Sequence, residues 1–233
     1  MFAGPASDKR STPDFDVKED HWILNVKDAT PLFSNFCSGL GTLASLKHLR
    51  IFSGGMDTSD YASDGKFALC WIRNPSERCT NFIGKSMVLF HSVPLMPPGV
   101  NNRKRHVGND VVHIVFCEDS LVNTHENDFG MQIISGEYCF VTIFVVPMCG
   151  NTIAKVILKL REDLDEKLKN NLTNLVGSSL MPFDASPIYV RQLAIRADLA
   201  CRSVIQDRLG LVSNWQERLQ QIRSLERYAE PST

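Results

Sequence analysis

The protein is a chain of 233 residues, 43% of them hydrophobic, with a formal net charge of −1 at pH 7. This length and apolar content are enough for one buried core, and the near-neutral charge argues against nucleic acid as the main partner. The longest apolar run, residues 138–148, is too short to span a bilayer. We therefore predict one domain at 21–229 with no transmembrane segment, preceded by a disordered or lead-in segment at 1–20 and followed by a tail at 230–233.

The first two thirds of the chain predict mostly strands. A helix is expected at 31–49, where apolar residues recur at helical spacing, although Gly39 and Gly41 weaken that pattern. Runs rich in β-branched and aromatic residues predict strands on both sides of this helix, and the polar segment 117–130 predicts a loop. The predicted strands lie at 21–26, 66–72, 85–93, 110–116, 137–146 and 152–160.

After residue 160 the apolar spacing becomes that of helices, and three are predicted. The first has an apolar face formed by Leu164, Leu168, Leu172 and Leu175. The second has Ser186 as N-cap and Pro187 at its first position, and ends at Gly210. The third opens with a Ser213–Gln216 capping box. The sequence thus predicts an α/β fold, with a mixed central β-sheet flanked by helices and a helical C-terminal third.

The second of these helices has two distinct faces in the sequence. Its apolar stripe consists of Val190, Leu193, Ala197, Ala200 and Val204. The small alanines in that stripe indicate close packing against the sheet. The other face is expected to be solvated, with an interaction surface as the alternative, and its residues are Arg191, Arg196, Asp198 and Arg202.

The seven cysteines indicate a reducing compartment. Their number is odd, and no pair has the CxxC spacing of a metal or redox site. Several of them lie inside apolar strand-like runs, so we expect free buried thiols and a cytoplasmic location. Cys149, beside Gly150 near a strand end, is the one cysteine expected at the surface.

The stretch NNRKRHVGNDVVHIVF, residues 101–116, concentrates directional polar groups at the start of a predicted strand. A phosphate-binding loop is rejected, because the chain has no GxxxxGK[ST] turn. A Cys–His hydrolase is disfavoured, because Cys117 and His113 are four residues apart on a strand, about 13 Å, which is too far for a hydrogen bond. A metal site is disfavoured because its candidate ligands lack HxxxH or CxxC spacing. Those candidates are His91, His106, His113, Glu118 and Asp119.

Asn109 suggests a different chemistry. A helical turn at 102–108 would make His106 and Asn109 i,i+3 neighbours, with Gly108 helping to end the turn. The Asn109 carboxamide, which both donates and accepts hydrogen bonds, would then project from a rigid support at the sheet edge. That chemistry can hold a water molecule in line with the γ-phosphate of a nucleotide bound by another protein. From the residues alone, an ordinary solvated turn is the alternative interpretation.

The segment KRHVGNDVVHIVF, residues 104–116, resembles the motif of the Rap-type GTPase-activating (Rap/Ran-GAP) domains, a family that includes the Rap and Ral activators and tuberin. The segments GGMDTSDYASDGKFALCW and LFHSVPLMP before it resemble the tuberin branch in order and spacing. So do YVRQLAIRADLACRSV and SNWQERLQQIRSLERYA after it. The resemblance covers residues 30–229, whereas the loop 117–132 diverges.

The resemblance implies a domain that stimulates GTP hydrolysis by a Ras-family small GTPase, with Rheb as first choice and Rap or Ral as second. Members of the family insert an Asn side chain, the asparagine thumb, into the GTPase, and that residue is Asn109 here. The neighbouring residues that would support the site or contact the GTPase are Arg103, Lys104, Arg105, His106, Gly108 and Asp110. Arg103 or Arg105 could instead act as arginine fingers, which contribute about 10³–10⁵ in rate, but the family pattern favours Asn109.

The resemblance also implies which partners the chain has. This chain would bind no cofactor itself, since GTP and Mg²⁺ would be held by the GTPase, whose own active site performs the hydrolysis. In a tuberin-type protein, regions outside this chain would bind a hamartin-type partner. The complete complex would then be recruited to an endomembrane or to the lysosome or vacuole surface. The alternative of a different class is a catalytically silent GTPase-binding or scaffold module of the same fold.

Overall fold

The computed structural model describes residues 2–3, 29–48, 53–59, 65–72, 87–118, 138–162, 164, 166–209, 219–220 and 222–224. Within these ranges the chain forms two β-sheets flanked by helices, which confirms the predicted α/β class. The strand predicted at 21–26 and the capping box at Ser213–Gln216 lie outside the described residues. Residues 219–220 and 222–224, from the third predicted C-terminal helix, are helical.

The larger sheet is mixed, as predicted. Its strands are β1 (Phe2–Ala3), β5 (Val112–Phe116), β6 (Val141–Met148), β7 (Ile153–Leu160) and β8 (Gly177–Pro182). They lie in the order β1-β5-β6-β7-β8, with β1, β5 and β6 parallel and the last two pairings antiparallel. Because Phe2 and Ala3 pair with β5, these two residues of the expected lead-in segment belong to the sheet.

A smaller antiparallel sheet holds the remaining described strands. They are β2 (Thr42–Ser45), β3 (Phe67–Ile72) and β4 (Met87–Phe90), in that order. The sequence predicted one central sheet, so the second sheet is a correction. Leu69 of β3 and Phe90 of β4 are nevertheless buried in the same hydrophobic core as the inner strands of the larger sheet. The two sheets therefore share one core.

Helix α1 (Pro31–Leu40) begins where the sequence predicted but ends nine residues earlier. Thr30 caps it by accepting a hydrogen bond from the Phe33 N–H at 3.1 Å. A glycine is needed after the helix, because a Cβ on Gly41 would lie 2.7 Å from the backbone oxygen of Cys70. The chain then continues as β2, whose pairing with β3 replaces the helical spacing that the sequence suggested.

The inner strands of the larger sheet form the centre of the core. Every residue of β5 and the first six residues of β6 are buried. Helix α4 (Ser186–Leu209) packs on this sheet together with α1, and its buried apolar residues are Val190, Leu193, Ala194, Ala197 and Cys201. The predicted apolar stripe is confirmed at three of its positions, while Ala200 is half-buried and the side chain of Val204 is outside the description. The small side chains among them, Ala194, Ala197 and Cys201, let α4 lie close to the strands.

Arg191 corrects the prediction that its face of α4 is solvated. Its guanidinium donates from one nitrogen to the carbonyl oxygens of Gly39 and Leu40, each at 2.9 Å, at the end of α1. The same group lies 4.6 Å from the centre of the Trp71 ring on β3. A positive charge at a helix C-terminus is stabilising. The Arg191 side chain also connects α4 to α1 and to the smaller sheet.

The segment between β7 and α4 contains one helix that the sequence predicted and one strand that it did not. Helix α3 (Glu166–Leu172) and a 3₁₀ turn at Thr173–Leu175 occupy the predicted helical region. Strand β8 follows and pairs with β7 along its whole length. Its sequence, GSSLMP, contains no β-branched or aromatic residue, so local propensity gave no indication of a strand.

Candidate functional site

Helix α2 (Val100–Gly108) carries the polar stretch that the sequence singled out, which confirms the helical turn predicted there. It begins after Gly99, whose φ of 129° lies in a region that side chains other than glycine rarely adopt. Its C-cap is Asn109, with φ −90° and ψ −9°, so Gly108 is its last helical residue and does not form the cap. The Asn109 side chain is exposed. The helix therefore presents a carboxamide to solvent immediately before the buried strand β5.

The backbone around Asn109 is closely hydrogen-bonded. The Asn109 N–H donates to the His106 carbonyl at 3.3 Å, and the Asp110 N–H donates to the Val107 carbonyl at 3.0 Å. The same Val107 carbonyl lies 2.9 Å from Nε2 of His113, on β5. A carbonyl oxygen can only accept, so Nε2 of His113 carries the proton and donates.

His113 is buried at 4% exposure, and this burial is the main reason its pKa falls to about 4. The imidazole is therefore neutral at physiological pH. Its satisfied Nε2 agrees with the expectation that this histidine is packed rather than a metal ligand.

Asp110 is held by a second histidine, His91. Nδ1 of His91, the residue that follows β4, lies 3.0 Å from Oδ2 of Asp110. Burial acts to raise the pKa of Asp110, but the hydrogen bond from His91 and nearby positive charge outweigh it, so that the pKa is lowered. The carboxylate is therefore ionised and accepts, and Nδ1 of His91 donates. The ring centroids of His91 and His106 lie 6.0 Å apart, so His91 also packs beside the last turn of α2.

Arg103 is not positioned as a docking residue or as an arginine finger. It is only 5% exposed, and its guanidinium donates to the carbonyl oxygens of Pro97 and Met96 at 3.1 and 3.2 Å. These bonds tie α2 to the chain segment that leads into it. Of the three consecutive basic residues, Arg105 is exposed and Lys104 is half-buried, as is His106. Arg105 and Lys104 are therefore the cations available to a partner at this end of the helix.

The described residues of the rejected sites provide neither an activated nucleophile nor a metal-binding cluster, and Asp119 lies outside the described residues. Burial raises the pKa of the Cys117 thiol to about 12, which suppresses the thiolate that a nucleophile needs. Glu118, a candidate metal ligand, accepts a hydrogen bond from Thr30. Among the described residues no cluster of three or more histidine, cysteine or acidic side chains could hold a metal ion. The six described cysteines are free, and Cys149 is exposed as expected.

The pairing of His91 with Asp110 was not predicted from the sequence. The signal that could have found it is the segment LFHSVPLMP, which contains His91 and accompanies the 104–116 motif. The two residues are 19 positions apart, and the fold places the residue after β4 next to the residue after Asn109.

Known proteins resemble this chain in sequence and in fold. The family model for Rap/ran-GAP matches residues 23–224. The chain belongs to the Rap/Ran-GAP family. Among relatives of this Rap/Ran-GAP domain, the tuberous sclerosis 2 protein homolog of Schizosaccharomyces pombe is 32% identical over 208 residues, covering 83% of this chain. The human Ral GTPase-activating protein subunit alpha-1 is 27% identical over 222 residues, covering 93% of this chain.

The Rap/Ran-GAP domain spans only a small part of those relatives, 14% of the first and 10% of the second. A solved structure of the TSC2 GAP domain superimposes with a TM-score of 0.61 at 21% identity, covering 88% of this chain and 98% of that one. This likeness supports the fold. None of the helices in the described ranges has the length and apolar content to cross a membrane.

Proposed function

We propose that this chain stimulates GTP hydrolysis by a Ras-family small GTPase, and that Asn109 is the asparagine thumb. The observation that carries the proposal is an exposed carboxamide at the C-cap of α2, on a turn fixed by backbone hydrogen bonds. A carboxamide can donate to one oxygen and accept from another, so it can orient a water molecule toward a γ-phosphate. GTP and Mg²⁺ would be held by the GTPase.

The surroundings of Asn109 support docking on an acidic surface. Arg105 is exposed one helical turn before Asn109, and Lys104 lies beside it. Basic side chains near the docking residue increase the rate of encounter with an acidic partner. Arg103 does not compete for the catalytic role, because its guanidinium is engaged with two backbone carbonyls inside the chain.

The energetics require the GTPase to contribute as much to the active site as the Asn109 carboxamide does. An acceleration of about 10⁵ corresponds to about 7 kcal/mol of barrier lowering. One well-placed carboxamide supplies about 3–4 kcal/mol, by analogy with the loss of one oxyanion-hole donor. The remainder would come from ordering the catalytic loops of the GTPase and excluding water from them. The proposed active site is therefore composite.

Rheb is the first-choice GTPase, because the sequence resembles the tuberin branch and the fission yeast tuberous sclerosis 2 protein homolog is a relative. Ral is the second choice, since a subunit of a Ral GTPase-activating protein matches 93% of this chain. Rap follows from the family as a whole. We further propose that the chain works in the cytoplasm as part of a longer protein, whose other regions bind a hamartin-type partner and recruit the complex to an endomembrane or lysosome surface.

Single-turnover GTP hydrolysis by Rheb, Ral and Rap tests the proposal. The wild-type chain should accelerate one of them, and Asn109→Ala should lose most of that acceleration while still binding the GTP form. Asn101→Ala is a matched control, because Asn101 is also exposed on α2 but lies at its other end. Equal acceleration by wild type and Asn109→Ala would refute the thumb, and binding without acceleration of any of the three would identify a silent module.

A further inference from the structure

Two histidines bracket the turn that carries Asn109. His113 donates from Nε2 to the carbonyl of Val107, two residues before Asn109, at 2.9 Å. His91 lies with Nδ1 3.0 Å from the carboxylate of Asp110, the residue after Asn109. Both ends of the turn are thus tied to side chains that come from outside α2.

Each histidine anchors the turn to a different sheet. His113 belongs to β5 of the larger sheet, whereas His91 follows the last residue of β4 in the smaller sheet. Both are largely removed from solvent, since His113 is 4% exposed and the side chain of His91 is 14% exposed. Placing imidazoles in these positions costs free energy unless they are hydrogen-bonded, and the bonds described here are made to the Asn109 turn.

We propose that His91 and His113 are positioning residues for Asn109, an inference that rests on the function proposed above. An exposed residue at a helix C-terminus otherwise frays, and an error of about 1 Å in placing a reacting group can reduce the rate about 10²-fold. The two histidines hold the backbone on either side of Asn109, so that its carboxamide enters the GTPase from a fixed support. Their proposed role involves no contact with the nucleotide or with the attacking water.

Substitutions that keep or remove one donor separate this role from packing. Asparagine places its NH₂ near the position of Nδ1 in histidine, and glutamine places its NH₂ near Nε2. His91→Asn and His113→Gln therefore retain the donors, whereas His91→Leu and His113→Leu remove them at similar volume. Asp110→Ala removes the acceptor of the His91 hydrogen bond at a side chain that is 34% exposed. This variant replaces a leucine variant that does not fold.

The measurement is single-turnover GTP hydrolysis by Rheb, or by whichever of Ral and Rap responds to the wild type, at increasing concentrations of the chain. The leucine variants and Asp110→Ala should lower the maximal rate by about 10-fold or more, with the half-saturating concentration changed by less than about threefold. The asparagine and glutamine variants should recover most of the maximal rate. Loss of folded protein alone would raise the apparent half-saturating concentration and leave the maximal rate unchanged.

The two proposals fail in distinguishable ways. A maximal rate that stays at the wild-type value in the leucine variants and in Asp110→Ala would overturn the positioning role, even while Asn109→Ala confirms the thumb. Failure of the donor-retaining variants to recover the rate would also overturn it, because packing would then account for the loss. If the wild type accelerates none of the GTPases, the proposed function fails first and the positioning role falls with it.

Discussion

His113 makes the stability of this domain sensitive to mild acid. Its pKa is 6.5 in an unfolded chain and about 4 in the folded protein, because the buried imidazole resists protonation. Between these two values the unfolded state binds more protons than the folded state, so the free energy of unfolding decreases as the pH falls. At about 1.4 kcal/mol for each pH unit that separates the two pKa values, the full loss is about 3 kcal/mol. That is a large share of the roughly 5–15 kcal/mol typical of a domain.

The assay is urea unfolding followed by circular dichroism at pH values from 7.5 to 4.5, for the wild type and for His113→Gln. Glutamine keeps the donor to Val107 but does not titrate. The difference in unfolding free energy between the two proteins should therefore change by about 2–3 kcal/mol across this range, with the wild type losing more as the pH falls. The other histidines are common to both proteins and cancel in the difference. Asp110 does not affect the comparison, because its pKa is lowered from 3.8 and its contribution to stability is lost only below the pH range of the assay. Parallel pH profiles would refute the reasoning.

Three further predictions concern the buried residues Gly41 and Arg191 and the exposed Arg105. Gly41→Ala should destabilise the domain by about 1–3 kcal/mol in urea unfolding, because its Cβ would meet a backbone oxygen at 2.7 Å; a value within error of wild type would show that β2 and β3 can separate there. Arg191→Leu should cost about 2–4 kcal/mol in the same assay, since the carbonyls of Gly39 and Leu40 lose their donor; an unchanged midpoint would mean that water replaces it. Arg105→Glu should weaken binding of the GTP-loaded partner without changing the maximal hydrolysis rate. The loss of affinity should become smaller as the salt concentration is raised. A loss of affinity that does not depend on salt would contradict electrostatic docking.

The strands that the sequence predicted are those whose own residues favour an extended chain. β5, β6 and β7 are runs of β-branched side chains buried in the core, and their bounds differ from the predicted ones by only a few residues. β2 and β8 are composed of TLAS and GSSLMP, and they become strands only because β3 and β7 offer them backbone partners. Pairing between segments distant in the chain is not visible in a local window of sequence.

In the candidate site, too, some features follow from the local sequence and others depend on contacts with distant residues. The position of Asn109 at a helix end follows from local spacing and from the family motif, and the structure places it there. The sequence predicts Arg103 beside it as a docking residue, because basic side chains suit an acidic partner surface. Its burial depends on the carbonyls of Met96 and Pro97 turning back toward α2, which the sequence does not encode in any short pattern. The prediction that Arg191 is solvated is wrong for the same reason, because its hydrogen-bond partners lie 151 and 152 residues earlier in the chain.

The contacts of Arg191 also affect how the protein folds during its synthesis. Arg191, which donates to the Leu40 carbonyl at the C-terminus of α1, lies 151 positions further along the chain. Helix α1 therefore leaves the ribosome before Arg191 has been synthesised. At typical synthesis rates of about 5–20 residues per second, that interval lasts roughly 8–30 seconds. Until α4 emerges, the end of α1 and the face of Trp71 stay open to water or to chaperones. A chain truncated before residue 186 would remain in that unfinished condition, with its Asn109 motif intact in sequence and its support incomplete.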